Sequence, residues 1–523
     1  MKLSILLRSL PDKKVHNFQQ VNIRSITDDS RKVVTGSLFV AVKGLTVDGH
    51  DFILKAIERG AKVIVGEKIF ISTKIVGVTY IKVNNTRRAL GFLASSFYGN
   101  PSKKLKVIGI TGTDGKTTTA SLIYQILVSS GEAVGLISTI GAKIGTNNMD
   151  TGFHVTSPDS VSLHRMLRDM VRRNCKYAVL EVTSHGLDQE RISGVRFDSA
   201  VLTNITHEHL DYHKTRKAYI NAKAKLFSRV ERAVVLNKDD ESYEYIQKVV
   251  PEKVKILAYG SIIKNADYFS ENIRNLSKGT LFELMDGKRI ISLRTRLIGN
   301  YNISNILAAV TISRYYKVSF DDIKDALSHF KAPQGRLERI KSGKDFEVYI
   351  DFAHTPNSLE KILSTLKVKL EIQDRQGRLI AIFGCAGERD IAKRVLMGEI
   401  SARIADISIF TAEDPRHENV RDIISQMIKG ALKGGAKEIR TTKGGELKKL
   451  KNKQYVFIEI PERGHAISIT INKVARSGDI VVICGKGHEK SMAYNGVEYP
   501  WSDKEAVKIA LKGRVKVIEH LKS

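Results

Sequence analysis

The run Thr111-Gly112-Thr113-Asp114-Gly115-Lys116-Thr117-Thr118 holds the residue types that close around a polyphosphate. Glycines let backbone N–H groups converge on phosphate oxygens, and a following helix N-terminus adds positive potential. A lysine then reaches the β- and γ-phosphates and a threonine hydroxyl meets Mg²⁺. Gly112, Thr113, Asp114, Gly115, Lys116, Thr117 and Thr118 are therefore candidate triphosphate contacts. The strict G-x-x-x-x-G-K-[ST] spacing fails, because Ile110 stands where the first glycine would be. The context compensates: an apolar strand pattern over 105–111 enters the loop, and a periodic helical pattern over 119–130 leaves it and stops at Gly131.

A phosphate loop needs a magnesium carboxylate close by, usually at the end of a neighbouring strand. Glu181 fits, near the end of the apolar run 178–182, and His185 follows it. The next strand pattern feeds Thr203-Asn204-Ile205-Thr206-His207-Glu208-His209-Leu210-Asp211-Tyr212-His213. A lone histidine is more often a satisfied structural residue. Strand C-termini facing a nucleotide are, however, where α/β proteins place ligands, which makes His209 a candidate metal ligand.

The elements that must position these groups recur along the chain. Short β-branched runs at 105–111, 178–182, 199–203 and 233–237, and later at 348–352, 379–384, 407–411 and 479–485, each lead into a polar or glycine-rich turn and a helical pattern. Continuous apolar strands alternating with helices imply parallel sheets covered on both faces, an α/β protein. At about 100 to 200 residues per domain, the 523 residues predict three domains. Pro101 to Lys104 and Lys331 to Gly335 read as linkers, giving domains 1–103, 104–335 and 336–523.

Composition narrows the function classes. Lys+Arg 85 against Asp+Glu 56 leaves a formal charge of +29, which allows either nucleic-acid binding or a solvated lysine-rich surface. The basic residues are spread from end to end, with local runs such as 448–453 and no stripe interleaved with aromatics, which favours the surface. No apolar run reaches the length of a membrane span, and the first residues have too short an apolar core for a signal peptide. Cys175, Cys385 and Cys484 are odd in number and lack metal-like spacing. A cytoplasmic protein without membrane insertion, disulfides or a zinc site is the expectation.

In this order the motifs resemble the Mur ligase superfamily, which joins an amino acid to a carboxylate with ATP. The resemblance rests on Thr111 to Thr118, Glu181 to Leu187 with Arg191, and Thr203 to His213. The first domain adds Asp29-Ser30-Arg31, Gly36 to Ala41 and Gly49 to Phe52. The later part adds Gly335 to Glu338, Asp351 to Pro356, Phe383 to Asp390, Glu413 to Arg416 and Gly485 to Glu489. The fold it implies is a small α/β UDP-sugar domain, a central P-loop ATPase domain with a mostly parallel sheet, and a C-terminal Rossmann-like domain.

Carried over residue by residue, the resemblance implies ATP phosphates on 112–117 and Mg²⁺ near Thr117, Glu181 and His209. It places base and ribose against Asn302, Arg336 and Asp351. Lys223 falls where the family has a carbamylated lysine, a modification that turns a cation into an anion able to hold a second Mg²⁺. A UDP-MurNAc-L-Ala-D-Glu substrate is expected at Ser30 and Arg31, with Thr156 and Ser157 helping and its peptide end near Ser184 and Arg191. The incoming diamino acid is expected at Arg389, Asp414, Arg416, Gly485 and Glu489. Family members that add meso-diaminopimelate typically carry D-N-P-R, and those that add lysine usually lack the arginine. Here the run is Glu413-Asp414-Pro415-Arg416, so Arg416 speaks for diaminopimelate while Asp414 is expected to put negative charge beside the substrate's far carboxylate, weakening diaminopimelate or favouring the free ammonium of L-lysine, the alternative substrate. A monomer without a nucleic-acid partner is the expectation; the competing class is a nucleic-acid-binding ATPase.

Overall fold

The structure is a computed structural model of the chain, and it describes all residues except 45–46, 69–76, 146, 150–157, 207, 209, 288, 374–375, 440–454 and 519–523. Among the sequence expectations, Thr156, Ser157, His207, His209 and the run 448–453 lie outside the described residues.

Three sheets in chain order organise the molecule. The first has five strands, with Ser25–Thr27, Ser37–Val40, Val63–Gly66 and Thr79–Val83 parallel and Lys13–His16 antiparallel at the edge. The central sheet places Lys106–Thr111 between Tyr177–Glu181 and Phe197–Leu202, all parallel. Val134–Ser138 continues it on one side, and Val230–Asn237 and Lys255–Gly260 on the other. The last sheet runs Glu347–Asp351, Ile480–Cys484, Leu379–Phe383, Ile407–Phe410 and Val456–Glu459 in parallel.

The predicted parallel runs are present, with ends shifted by a residue or a few. Tertiary pairing adds what periodicity did not signal. Tyr268–Leu276, Gly279–Asp286 and Arg289–Thr295 form an antiparallel extension at one edge of the central sheet, and Gly141–Ile144 with Asn147–Met149 form another at the opposite edge. The burial of Arg289–Thr295 alternates between exposed and covered, as expected of an antiparallel strand with one wet face.

Strands of the parallel core are buried on both faces because helices cover each side. Lys116–Ser129 and Asn300–Tyr315 lie on one side, where Ile123, Ile126, Ile306 and Val310 share a core with strand residues Ile108 and Val179. Ser160–Arg172 and Arg216–Phe227 pack on the other, with Met166, Leu167 and Phe227 against Val107 and Ala178. All three cysteines are buried and free. Among the described residues no helix is long and apolar enough to cross a membrane.

Candidate active site

The phosphate loop lies at the C-terminal end of Lys106–Thr111, where open parallel sheets place ligands. The helix begins at Lys116, three residues earlier than periodicity predicted, because Gly115 at φ +80° takes the left-handed turn that a side chain would resist. A Cβ on Gly115 would lie 2.1 Å from Asn305 Oδ1, and one on Gly112 would lie 1.8 Å from Thr203 Oγ1. The loop is thus clasped by its neighbours. Asn204 accepts from Asp114 N–H through its side chain at 2.9 Å and from Thr113 N–H through its carbonyl at 2.7 Å, while Thr203 Oγ1 donates to Asp114 O at 2.7 Å. The first two residues of the histidine-bearing run Thr203 to His213 thus brace the phosphate loop.

Lys116 folds back, its ammonium donating to Gly112 O at 3.1 Å and Thr113 O at 2.7 Å. The buried Thr117 hydroxyl lies 3.1 and 3.0 Å from the two Glu181 oxygens, and Thr139 N–H donates to Glu181 at 3.1 Å. Thr118 is buried one residue further along the helix. Lys223 is only 1 % exposed and so is no surface lysine; its ammonium donates to Gly112 O at 2.6 Å and sits over the Tyr219 ring. Burial, with Lys116 nearby, holds the Lys223 amine well below the usual lysine range.

The last domain completes this end of the site. Arg336 donates through Nη2 to Thr117 Oγ1 at 3.2 Å, and its guanidinium stacks on Phe352. Asn357 donates to Asp114 Oδ2 at 2.8 Å, and His354 Nε2 lies 3.2 Å from Glu208 Oε1. Asp351 accepts from the N–H groups of Leu337 and Ala353 at 2.6 and 2.7 Å, and burial, opposed by Arg336, pushes its carboxyl up to about 6.

Beside the loop, between the central sheet and the helix Pro356–Ile372, opens a cavity of about 610 Å³. Gly115, Asn237, Asp239, Tyr301, Asn305 and Thr365 help line it. A volume in this range suits a small-molecule ligand. Asn302 reaches it through Asn305, whose amide donates to Asn302 Oδ1 at 3.1 Å. Asn305 was missed, although Asn302 and Asn305, three apart on one helical face, were a usable signal.

Toward the first domain, Ser30 opens a short 3-10 turn and Arg31 is exposed with a double contact to Asp29, at 2.9 and 3.0 Å. That contact holds the Asp29 carboxyl below the usual carboxylate range. Across the cleft, Ser184 is buried and its hydroxyl has no hydrogen-bond partner among the described residues. Arg191 points its guanidinium at Gln189 Oε1, at 3.0 and 2.8 Å. Burial lowers Arg191, with Arg87 of the first domain also lowering it, and Asp28 is raised by burial and by Asp159 of the central domain. The two banks of this cleft are in electrostatic contact.

At the far end, Asp414, Arg416, Gly485 and Glu489 come together at the ends of Ile407–Phe410 and Ile480–Cys484, while Arg389 is exposed after Leu379–Phe383. The buried pair Arg463–Asp503, 2.7 Å apart, anchors them from behind, because Arg463 also donates to Ala412 O at 3.1 Å and Cys484 O at 2.9 Å. Lys486, absent from the sequence-based set, binds both Asp414 oxygens at 2.9 and 2.8 Å and Glu489 Oε2 at 2.5 Å. The Asp414 charge therefore meets a buried ammonium.

The fold and site define an α/β enzyme with a phosphate loop at the C-terminal edge of its central sheet and a following domain that reaches back to it. Profiles of the Mur ligase family catalytic domain, the Mur ligase middle domain and the Mur ligase glutamate ligase domain match residues 22–98, 110–313 and 335–487. A UDP-N-acetylmuramoyl-L-alanyl-D-glutamate–2,6-diaminopimelate ligase of Bacillus velezensis is 39 % identical over 97 % of this chain and 98 % of its own length. The ligase of the same name from Bacillus licheniformis is 38 % identical over 98 % and 99 %. A solved structure under that name aligns with a TM-score of 0.66 at 28 % identity, covering 98 % of this chain and 99 % of its own. The chain belongs to the Mur ligase family.

Proposed function

We propose that this enzyme joins meso-2,6-diaminopimelate to the D-glutamyl γ-carboxylate of UDP-MurNAc-L-Ala-D-Glu, consuming ATP, as a cytoplasmic monomer without a nucleic-acid partner. The observation that carries the reading is the closed constellation of Lys116, Thr117, Glu181 and Lys223 with Arg336 delivered from the next domain. It unites a phosphate loop with a second domain bearing a cluster of charged residues around Asp414, Lys486 and Glu489.

The γ-carboxylate attacks the γ-phosphorus of ATP, the bond to the β-phosphate oxygen breaks, and ADP leaves an acyl phosphate. The neutral amine of the diamino acid adds to that carbonyl carbon, and the tetrahedral adduct expels phosphate and a proton to give the amide. Two anions must approach a polyanion, so positioning and charge cancellation supply most of the acceleration. Lys116 exchanges the Gly112 and Thr113 carbonyls for phosphate oxygens. Loop N–H groups hold the phosphates, Arg336 and Asp351 serve the nucleotide with Asn302, and Ser30, Arg31, Ser184 and Arg191 serve the UDP substrate, with Thr156 and Ser157 assigned to it from the sequence alone.

A hydroxyl, a carboxylate and few further protein ligands suit Mg²⁺, which keeps waters and binds substrate phosphates for the rest. Thr117 and Glu181 would hold it, with His209 from the family pattern; Lys223 as its carbamate would hold a second, and both would neutralise phosphate charge. Lys223 suits carbamylation chemically: burial and the neighbouring Lys116 favour its neutral form, and a neutral amine adds to CO₂ with loss of a proton.

The test is release of ADP and phosphate on addition of UDP-MurNAc-L-Ala-D-Glu with diaminopimelate, lysine or ornithine. Release with diaminopimelate is expected. A strong preference for lysine overturns the choice of amino acid, and ATP hydrolysis driven by nucleic acid alone overturns the ligase reading.

A further inference from the structure

Resting on the proposed amino-acid site, we infer that Asp414 is a positioning residue: with Lys486 it forms a neutral strut that holds Glu489 and leaves the half-buried Arg416 without a protein counter-charge, a template for an amino-acid head bearing both carboxylate and ammonium.

The strut joins four segments. Asp414 Oδ1 and Oδ2 take the Lys486 ammonium at 2.9 and 2.8 Å, and Oδ1 also accepts Ala493 N–H at 3.0 Å from the hairpin Ser491–Tyr494 and Val497–Pro500. The Asp414 carbonyl accepts Gly387 N–H at 2.8 Å. An asparagine would keep the backbone contact, but its single acceptor oxygen and its N–H donors cannot reproduce the two-oxygen grip on the Lys486 ammonium.

Lys486 is 1 % exposed. Burial favours its neutral form, but Glu489 and Asp414 together outweigh that and raise it. A buried ammonium with one carboxylate removed is costly, and the remaining carboxylate would be drawn fully onto it. With Asp414 in place, only Glu489 Oε2 meets Lys486, and the other Glu489 oxygen makes no hydrogen bond among the described residues. Glu413, Lys393 and His354 also face this pocket; burial pushes the Glu413 carboxyl up.

Arg416 is fixed by its backbone, donating to Ala493 O at 3.0 Å with φ +55°, and its guanidinium makes no ion pair among the described residues. Asp414 and Lys486 cancel, leaving Glu489 for an ammonium and Arg416 for a carboxylate. A diamino acid ending in an ammonium alone leaves Arg416 unanswered, which disfavours it.

The rival account has Asp414 beside the substrate carboxylate, repelling it. The accounts differ in sign. With the full-length enzyme, its UDP-dipeptide and diaminopimelate, Asp414→Asn is expected to raise the diaminopimelate KM by about tenfold while the ATP KM stays within about twofold. Asp414→Glu, which keeps a carboxylate for Lys486, is expected to restore most of the loss. The double variant Asp414→Asn/Lys486→Met should fall short of the product of the single effects, because removing both leaves no orphaned charge. A lower KM in Asp414→Asn, or independent effects in the double variant, overturns the strut. Melting of the four proteins without substrate gives the same cycle independently of turnover, and lack of coupling there also overturns it. Failure of the unaltered enzyme to use any diamino acid sinks the proposed function instead. If Asp414→Asn does not fold, Asp414→Glu decides: a KM near that of the unaltered enzyme supports the strut, and a tenfold change in either direction overturns it.

Discussion

The phosphate end and the amino-acid end of the site solve one problem, holding charge out of water, in opposite ways. At the phosphate end the residues are consecutive and the backbone does much of the holding; Gly112 and Gly115 leave room for Thr203 and Asn305 to press against the loop. Its anions are to be supplied by the substrate. At the amino-acid end the charges are internal and come from separate loops, with Lys486 between Asp414 and Glu489 and Arg463 behind them. The first is a cradle built largely of backbone, and the second is a preset pattern of paired side-chain charges.

The contrast is most easily broken at the phosphate end. Lys116→Ala is expected to lower ADP formation by at least about a hundredfold, the scale for losing one transition-state charge donor, with an unchanged circular-dichroism spectrum. Near-normal turnover would remove the lysine from the chemistry. Depleting CO₂ tests its neighbour: turnover should fall and return with bicarbonate, and a ¹³C-bicarbonate carbamate signal should be absent in Lys223→Met.

Arg416→Lys sharpens the other side. Loss of the planar fork should raise the diaminopimelate KM by about tenfold, from the difference between a bidentate and a point-charge contact, and leave ATP binding as it was. Equal loss for both ligands would mean that the two ends are not separable.

The smallest effect is on stability. Asp351 is raised from 3.8 to about 6 in the fold, so its stabilising share is fully present below 3.8 and is lost as pH rises through 6. Asp351→Asn should lack that downward slope between those two pH values in chemical denaturation. An identical profile would remove the buried carboxyl from the account. The sign is informative because the ionised form costs the free protein stability at neutral pH, as expected of a group kept for binding.

Legibility differed in the same way between the two ends. Thr111 to Thr118 was readable because a phosphate loop is local, and Glu181 because it ends a strand next to that loop. Lys223 stood out only through family resemblance; nothing in its helix marks it as buried. Asn357 and Lys486 were not found, since each meets a partner 72 or more positions away, Asp114 for Asn357 and Asp414 for Lys486. Asp414 was legible as a departure from the family run, but its partner Lys486, 72 positions away, was not.

By itself, then, the sequence determined the α/β layering, the phosphate loop and the family, because apolar periodicity and short-range motifs act through the local backbone. The burial of Lys223, the reach of Arg336 onto Thr117 and the neutralisation of Asp414 by Lys486 were decided only in the tertiary structure. Charge in a protein interior depends on what lies across space, and sequence distance does not encode it.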